Sequence, residues 1–199
     1  MSDGASTQDH ALTEAGSMAG VDNRKFGVWL FIASEVMFFM ALIGMYLAYR
    51  GQASWTSFHA DLDIGLTAIN TFILLTSSLM VVLAVSAAQQ GNKRNLTLWL
   101  TATVILGVTF VSIQAFEYSR LGTLGHTLSS DLAGNVFFTL TGFHGLHVII
   151  GVIWCAFVLL RAARGGFGQS NYLGVELFGL YWHFVDVVWI LLFTIIYLI

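Results

Sequence analysis

The sequence has no proline, one cysteine and very few charges. Each shortage removes a class of protein. A lone Cys155 leaves no partner for a disulfide framework and no second thiol for a Cys-x-x-Cys metal or redox motif. Without proline, the usual cause of a sharp helix kink is missing, although glycine can still supply one. Charged residues make up 10% of the 199 positions. A soluble domain carries about a quarter, so this chain cannot cover a globule with polar surface. The formal net charge is −3, from 8 Lys and Arg against 11 Asp and Glu. Phosphate recognition needs clustered basic residues, so nucleic acid is not an expected partner. What is abundant is apolar: 57% of the letters are hydrophobic. The composition is that of an integral membrane protein.

Five continuous apolar stretches cover about residues 26–49, 64–88, 96–118, 132–160 and 174–199. Each exceeds the roughly 20 residues needed to cross about 30 Å of hydrocarbon as a helix. The alternating ten-residue segments of a membrane β-barrel are absent. The fold class expected is therefore all-α, a five-helix transmembrane bundle over 24–199 with short connections. Residues 1–23 read as a disordered polar tail, rich in Ser, Thr, Gly, Ala and acids. With no apolar core in that tail, the first span is expected to serve as its own insertion signal.

Basic residues set the direction. Arg24, Lys25, Lys93, Arg94, Arg161 and Arg164 fall on one side of the five spans, and Arg50 and Arg120 on the other. The positive-inside rule then places the N-terminus in the cytoplasm and the C-terminus outside. Asp61, Asp63 and Asp131 fall on the side poor in lysine. Trp29 and Trp99 near inner ends, and Tyr46, Tyr49, Tyr118 and Tyr197 near outer ends, read as interfacial aromatic belts.

A charge at mid-membrane costs from a few to more than about ten kcal/mol, so each polar residue inside the spans needs a partner or a role. Glu35 lies about 13 Å past Phe26 at about 1.5 Å per residue, close to the bilayer centre. Either it is a proton-relay or ligand-binding carboxyl, or it is a neutral acid bonded across a helix interface. His144 and His147 are three apart in the fourth span, and His183 and Asp186 three apart in the fifth. Imidazoles from facing helices plus a carboxylate can ligate iron or zinc, and His144 paired with His183 is one such arrangement. The competing reading is an interhelical network in which a histidine on one helix donates to an acid on the next. The Glu-x-x-His motif of di-iron bundles does not occur. Gln114 and Glu117 at the outer end of the third span, and Glu176 at the inner end of the fifth, read as hydrated interfacial anchors. Asn70, Thr71, Thr76, Ser77 and Ser78 form a polar stripe on the second span. Gly142, Gly145 and Gly151 on the fourth permit close helix contact, and Cys155 reads as a small buried apolar residue.

Four motifs carry a resemblance. Tyr181-Trp182-His183-Phe184-Val185-Asp186-Val187-Val188-Trp189 resembles a signature of subunit III of the haem-copper respiratory oxidases. Thr141-Gly142-Phe143-His144-Gly145-Leu146-His147-Val148-Ile149-Ile150-Gly151 resembles the same family's penultimate helix. Ser34-Glu35-Val36-Met37-Phe38-Phe39 is similar to its acidic helix, and Gln114-Ala115-Phe116-Glu117-Tyr118 to a fourth motif. They occur in the family's order and span most of 26–199. The chain looks like the five-helix form of that subunit, common in bacterial oxidases.

The resemblance implies an accessory subunit without a catalytic centre, haem, copper or other metal of its own. Haem and copper would reside in partner subunits. It implies packing against the catalytic subunit I, with subunit II and possibly a subunit IV in the same complex, and bound phospholipid in a cleft. It further implies support for proton uptake, and thereby for oxygen reduction coupled to proton pumping, in a bacterial plasma membrane. Glu35, His144, His147, His183, Asp186, Glu117 and Glu176 fall on the family's polar positions. Ser34-Glu35-Val36 and Glu117-Tyr118 look closer to the cytochrome c branch, and the same subunit of a quinol oxidase is the alternative. Two more distant readings remain at this point. One is a stand-alone membrane cytochrome using His144, His147 and His183. The other is a proton-coupled transporter using Glu35 and Asp186, a reading weakened by the odd span count and the lack of an internal repeat.

Overall fold

A computed structural model describes residues 22–51, 53–127 and 132–199, and all its regular elements are helices. The tail residues 1–21 and Asp131 lie outside the described residues. The helices are α1 (Asn23–Tyr49), α2 (Ala53–Ala60), α3 (Ile64–Gln89), α4 (Lys93–Thr123), α5 (Leu132–Ala163) and α6 (Leu173–Phe193). A π-helical turn, Thr194–Leu198, continues α6. Among the described residues, five helices, counting α6 with that turn as one, are long and apolar enough to cross a membrane. The chain is thus a multi-pass membrane protein.

Local chemistry sets the ends. Asp22, Asp63 and Asn92 cap α1, α3 and α4, their side chains accepting from Arg24 N (2.8 Å), Leu66 N (3.0 Å) and Asn95 N (3.1 Å). Such caps satisfy amides that a helix leaves unpaired at its start. At the basic end of the bundle, α3 and α5 stop at Gly91 (φ +69°) and Gly165 (φ +77°). There Asn92 N returns to Ala87 O and Gly166 N to Arg161 O, both at 2.9 Å. That closure needs a left-handed residue, which glycine adopts without Cβ strain. Two features depart from the sequence reading. The first connection contains a helix, α2, whose Trp55 and Phe58 are buried. The C-terminal end changes helical pitch with no proline present.

α3 and α4 pack as a hairpin, α4 on α5, and α6 against α3, α5 and α1. α6 is the most buried span and α1 the least. α6 therefore forms the centre, and its Trp182 and Trp189 are fully buried. Their indole N–H groups donate to Ser77 Oγ (3.0 Å) and Thr71 Oγ1 (2.9 Å) on α3. Large apolar side chains such as Met37, Phe72, Ile105 and Phe157 cover the outer surface. In water such a surface would aggregate; in hydrocarbon it is solvated.

The aromatic belt is smaller than expected. Trp29 and Tyr49 are exposed, but Tyr46 and Tyr197 are buried in the bundle. A phenol at that depth bonds internally: Tyr46 Oη donates to Ile195 O at 3.2 Å. The glycines of α5 also divide. A Cβ on Gly151 would meet Trp182 at 2.8 Å, whereas one on Gly142 or Gly145 would meet nothing within 4 Å. Of these three, Gly151 alone gives close helix contact. Gly107 on α4, not singled out in the sequence, does the same, 2.7 Å from Val152 and 3.0 Å from Trp182.

Candidate functional site

The intramembrane polar residues gather into separate clusters between helices. The first joins α1 to α5: His147 Nε2 lies 3.2 Å from Glu35 Oε2. His147 Nδ1 lies 2.7 Å from Phe143 O, one turn back on its own helix. A carbonyl accepts only, so Nδ1 carries the proton and Nε2 accepts when the ring is neutral. Glu35 then bonds it as a neutral acid, or as a carboxylate if the ring is doubly protonated. The pair is half-buried, so it is reachable from one side of the bundle.

His144 points elsewhere. It is 1% exposed, stacks on Trp189 at 4.8 Å between centroids, and its Nε2 lies 3.2 Å from Val185 O. It does not pair with His183, whose Nδ1 lies 2.6 Å from Ser78 Oγ on α3. Asp186 is 6% exposed and its Oδ1 has no hydrogen-bond partner among the described residues. Among the described residues no three His, Cys, Asp or Glu side chains gather into a metal-binding group.

Two anchors expected at the hydrated surface are buried instead. Glu117 is 2% exposed, and its Oε1 accepts from Thr67 Oγ1 and Tyr197 Oη, both at 3.0 Å. Gln114 is 5% exposed and lines an apolar cavity of 330 Å³ with Phe110, Tyr118, Gly142 and Gly145. The span α4 is 31 residues long, so both residues fall inside the bundle, where α3, α5 and the C-terminal turn cover them. Glu176 does lie near a helix start, but it is tied to Lys25 of α1 at 2.5 Å. Lys25, read in the sequence only as an orientation signal, thereby clasps α1 to α6.

The sequence reading missed Thr67, placed Tyr197 in the outer aromatic belt rather than beside Glu117, and put Thr76 on the polar stripe although it lies off the buried face of α3. The buried positions of α3 include Thr67, Asn70, Thr71, Leu74, Ser77, Ser78 and Val81, a three- and four-residue alternation. Extending that spacing one turn back from Asn70 finds Thr67 and excludes Thr76. Tyr197 carried no such signal, because its partner lies 80 residues away.

These clusters lie within the four segments quoted above or face them, and known proteins share the whole frame. The family model described as "Cytochrome c oxidase subunit III" matches residues 7–199. The protein named cytochrome c oxidase subunit 3 of Thermostichus vulcanus is 36% identical over 179 residues, 89% of this chain and 88% of its own length. That of Bacillus subtilis is 34% identical over 178 residues, 88% and 86% of the two chains. The probable cytochrome c oxidase subunit 3 of Nocardia farcinica is 39% identical over 173 residues, 86% and 85%. A match of that length, together with five spanning helices, makes the chain a member of the cytochrome c oxidase subunit III family.

Proposed function

We propose that this protein is the non-catalytic third subunit of a bacterial cytochrome c oxidase. It packs on the catalytic subunit I in the plasma membrane with its N-terminus in the cytoplasm. Subunit II, and a subunit IV where one exists, complete the complex, and haem and copper belong to the partner subunits. The family match over residues 7–199 carries this reading. The chemistry of the intramembrane histidines supports it. His144, His147 and His183 each spend a ring nitrogen on a hydrogen bond within the bundle, to Val185 O, Phe143 O and Ser78 Oγ. Their first use is thus to satisfy buried polar groups, as intramembrane side chains do by default.

Bound phospholipid belongs to the same proposal. A groove between α4 and α5 holds a 660 Å³ cavity beside Lys93 and Arg94 and the apolar 330 Å³ cavity further along. Basic side chains at one end of an apolar groove suit an anionic headgroup and its acyl chains. In this role the subunit supports oxygen reduction and proton pumping by holding lipid and by feeding protons toward subunit I.

The test is affinity purification of the tagged chain in mild detergent, followed by mass spectrometry and a visible spectrum. A co-purifying haem- and copper-bearing subunit, with no pigment on the separated chain, is the expected result. A chain that emerges alone and coloured is a cytochrome; one alone and colourless brings back the transporter. A cysteine reporter in the α3–α4 loop should resist an impermeant maleimide added to intact cells, and labelling there would reverse the orientation.

A further inference from the structure

Both polar atoms of the Gln114 side chain, Nε2 and Oε1, are buried without a hydrogen-bond partner among the described residues. An unpaired amide is costly inside a membrane, where no water completes it. Tyr118, one turn further along α4, spends its hydroxyl proton on Thr141 Oγ1 at 2.8 Å. Gln114 stands in the wall of the 330 Å³ cavity between α4 and α5, whose surface is otherwise almost wholly apolar. Gly142 and Gly145 form one side of it, and a Cβ built on either would meet nothing within 4 Å. The chain thus leaves the space before these glycines unfilled. Leu146 and Ile149 of the same wall are exposed on the outer surface, so the cavity is reached from the surrounding hydrocarbon.

Depth separates this cavity from the basic end of the groove. Gln114 lies six residues, about 9 Å, past Val108 at the midpoint of the helix Lys93–Thr123. The hydrocarbon layer extends about 15 Å to either side of its midplane. A span centred in it holds the amide inside the apolar layer, in the leaflet opposite Lys93 and Arg94. A phospholipid anchored at those two side chains fills the other leaflet, and its chains stop short of Gln114.

An amide presents a donor and an acceptor side by side. A neutral carboxylic acid presents the complement: its carbonyl accepts from Nε2–H while its hydroxyl donates to Oε1. An ester or a ketone only accepts and leaves Oε1 unpaired. A second cavity, of 210 Å³ and lined by Val108, Ser112, Val152 and Ile153, shares Val111 and Ile149 with the first. It leads toward the middle of α4, the direction an alkyl chain takes from a head group in that leaflet. We propose that the α4–α5 cavity at Gln114 binds a neutral long-chain carboxylic acid, with its head on the amide and its chain in the adjoining cavity. The site goes beyond the oxidase-subunit reading and does not depend on it.

The test is titration of carboxyl-labelled hexadecanoic acid into phosphatidylcholine nanodiscs holding the full chain, or the complex purified through it. The infrared carbonyl band of the bound acid is the readout. A saturable band of a neutral, hydrogen-bonded carboxyl is expected. Methyl hexadecanoate has the same chain without the hydroxyl donor and should compete about tenfold less well. Gln114→Leu replaces the amide by an apolar group of similar size, and Gly145→Leu fills the open space. Each should abolish the saturable band in a chain whose circular dichroism is unchanged. Equal competition by the methyl ester, a band that persists in Gln114→Leu, or uptake no greater than in empty nanodiscs overturns the proposal. The ester comparison uses the native chain, so it decides the matter even where a variant fails to fold. Failure to co-purify an oxidase leaves the site standing, and failure to bind the acid leaves the oxidase assignment untouched.

Discussion

Gly151→Ala adds one methyl group to the most crowded point of the bundle. The new Cβ would lie 2.8 Å from Trp182 Cζ3, 2.9 Å from Cε3 and 3.2 Å from Tyr181 Cε1. The indole cannot retreat. On its far side Gly107 already approaches Cη2, with 3.0 Å from a Cβ built there, and its N–H is held by Ser77 at 3.0 Å. Overpacking of this kind costs about 1–3 kcal/mol. Replacing helical glycine by alanine returns about 0.5–1 kcal/mol. The balance is a loss of about 1–2 kcal/mol if the ring stays put. It is nearer 3 if the ring moves and the Ser77 bond, worth about 1 kcal/mol, breaks. Gly142→Ala and Gly145→Ala, on the same helix with open space around each Cβ, collect the propensity gain alone. They should be neutral or stabilising by up to about 1 kcal/mol. The assay is reversible denaturation of the chain in mixed micelles with increasing sodium dodecyl sulfate, followed by circular dichroism. A cycle with Trp182→Phe should show coupling of about 1 kcal/mol or more between positions 151 and 182. Equal stability of Gly151→Ala and Gly145→Ala would refute the idea that Trp182 is clamped between two glycines.

Three other outcomes are expected. Glu117→Ala leaves the buried Tyr197 hydroxyl without its acceptor, while Thr67 keeps Asp63 O at 2.9 Å, and should cost about 1–3 kcal/mol, whereas Glu117→Gln keeps an accepting oxygen and should cost under about half as much; the same denaturant titration separates them. Trp189→Phe loses the bond to Thr71 and most of the stacking on His144, and should lower stability by about 1–3 kcal/mol, while Thr71→Ser, which keeps the acceptor, should lower it by less. Cys155 is fully buried against α4, so a thiol reagent should modify it only after denaturation, and labelling of the folded chain would contradict its placement.

The pattern of success and failure in the sequence follows from the reach of each signal. Five apolar runs report helices because a membrane demands about 20 consecutive apolar residues, and that requirement is local. The buried face of α3 is also local, and its three- and four-residue spacing places Ser77 and Ser78 inside. α2 was missed because eight residues with a weak apolar pattern fall below that threshold.

What the sequence determined by itself is the solvent of this protein, the number of its spans, and the residues whose burial would need explanation. It also held the four motifs by which the family is recognised. What only the tertiary structure decided is which of those residues meet. His144 and His147 are three apart in the chain, yet one bonds α6 and the other α1. His183 meets a serine more than 100 positions earlier, and Glu117 a tyrosine 80 positions later. Helical periodicity assigns a side chain to a face. The partner of that face depends on the order in which helices pack, and small side chains such as Gly107 and Gly151 set that order by how closely two backbones can approach.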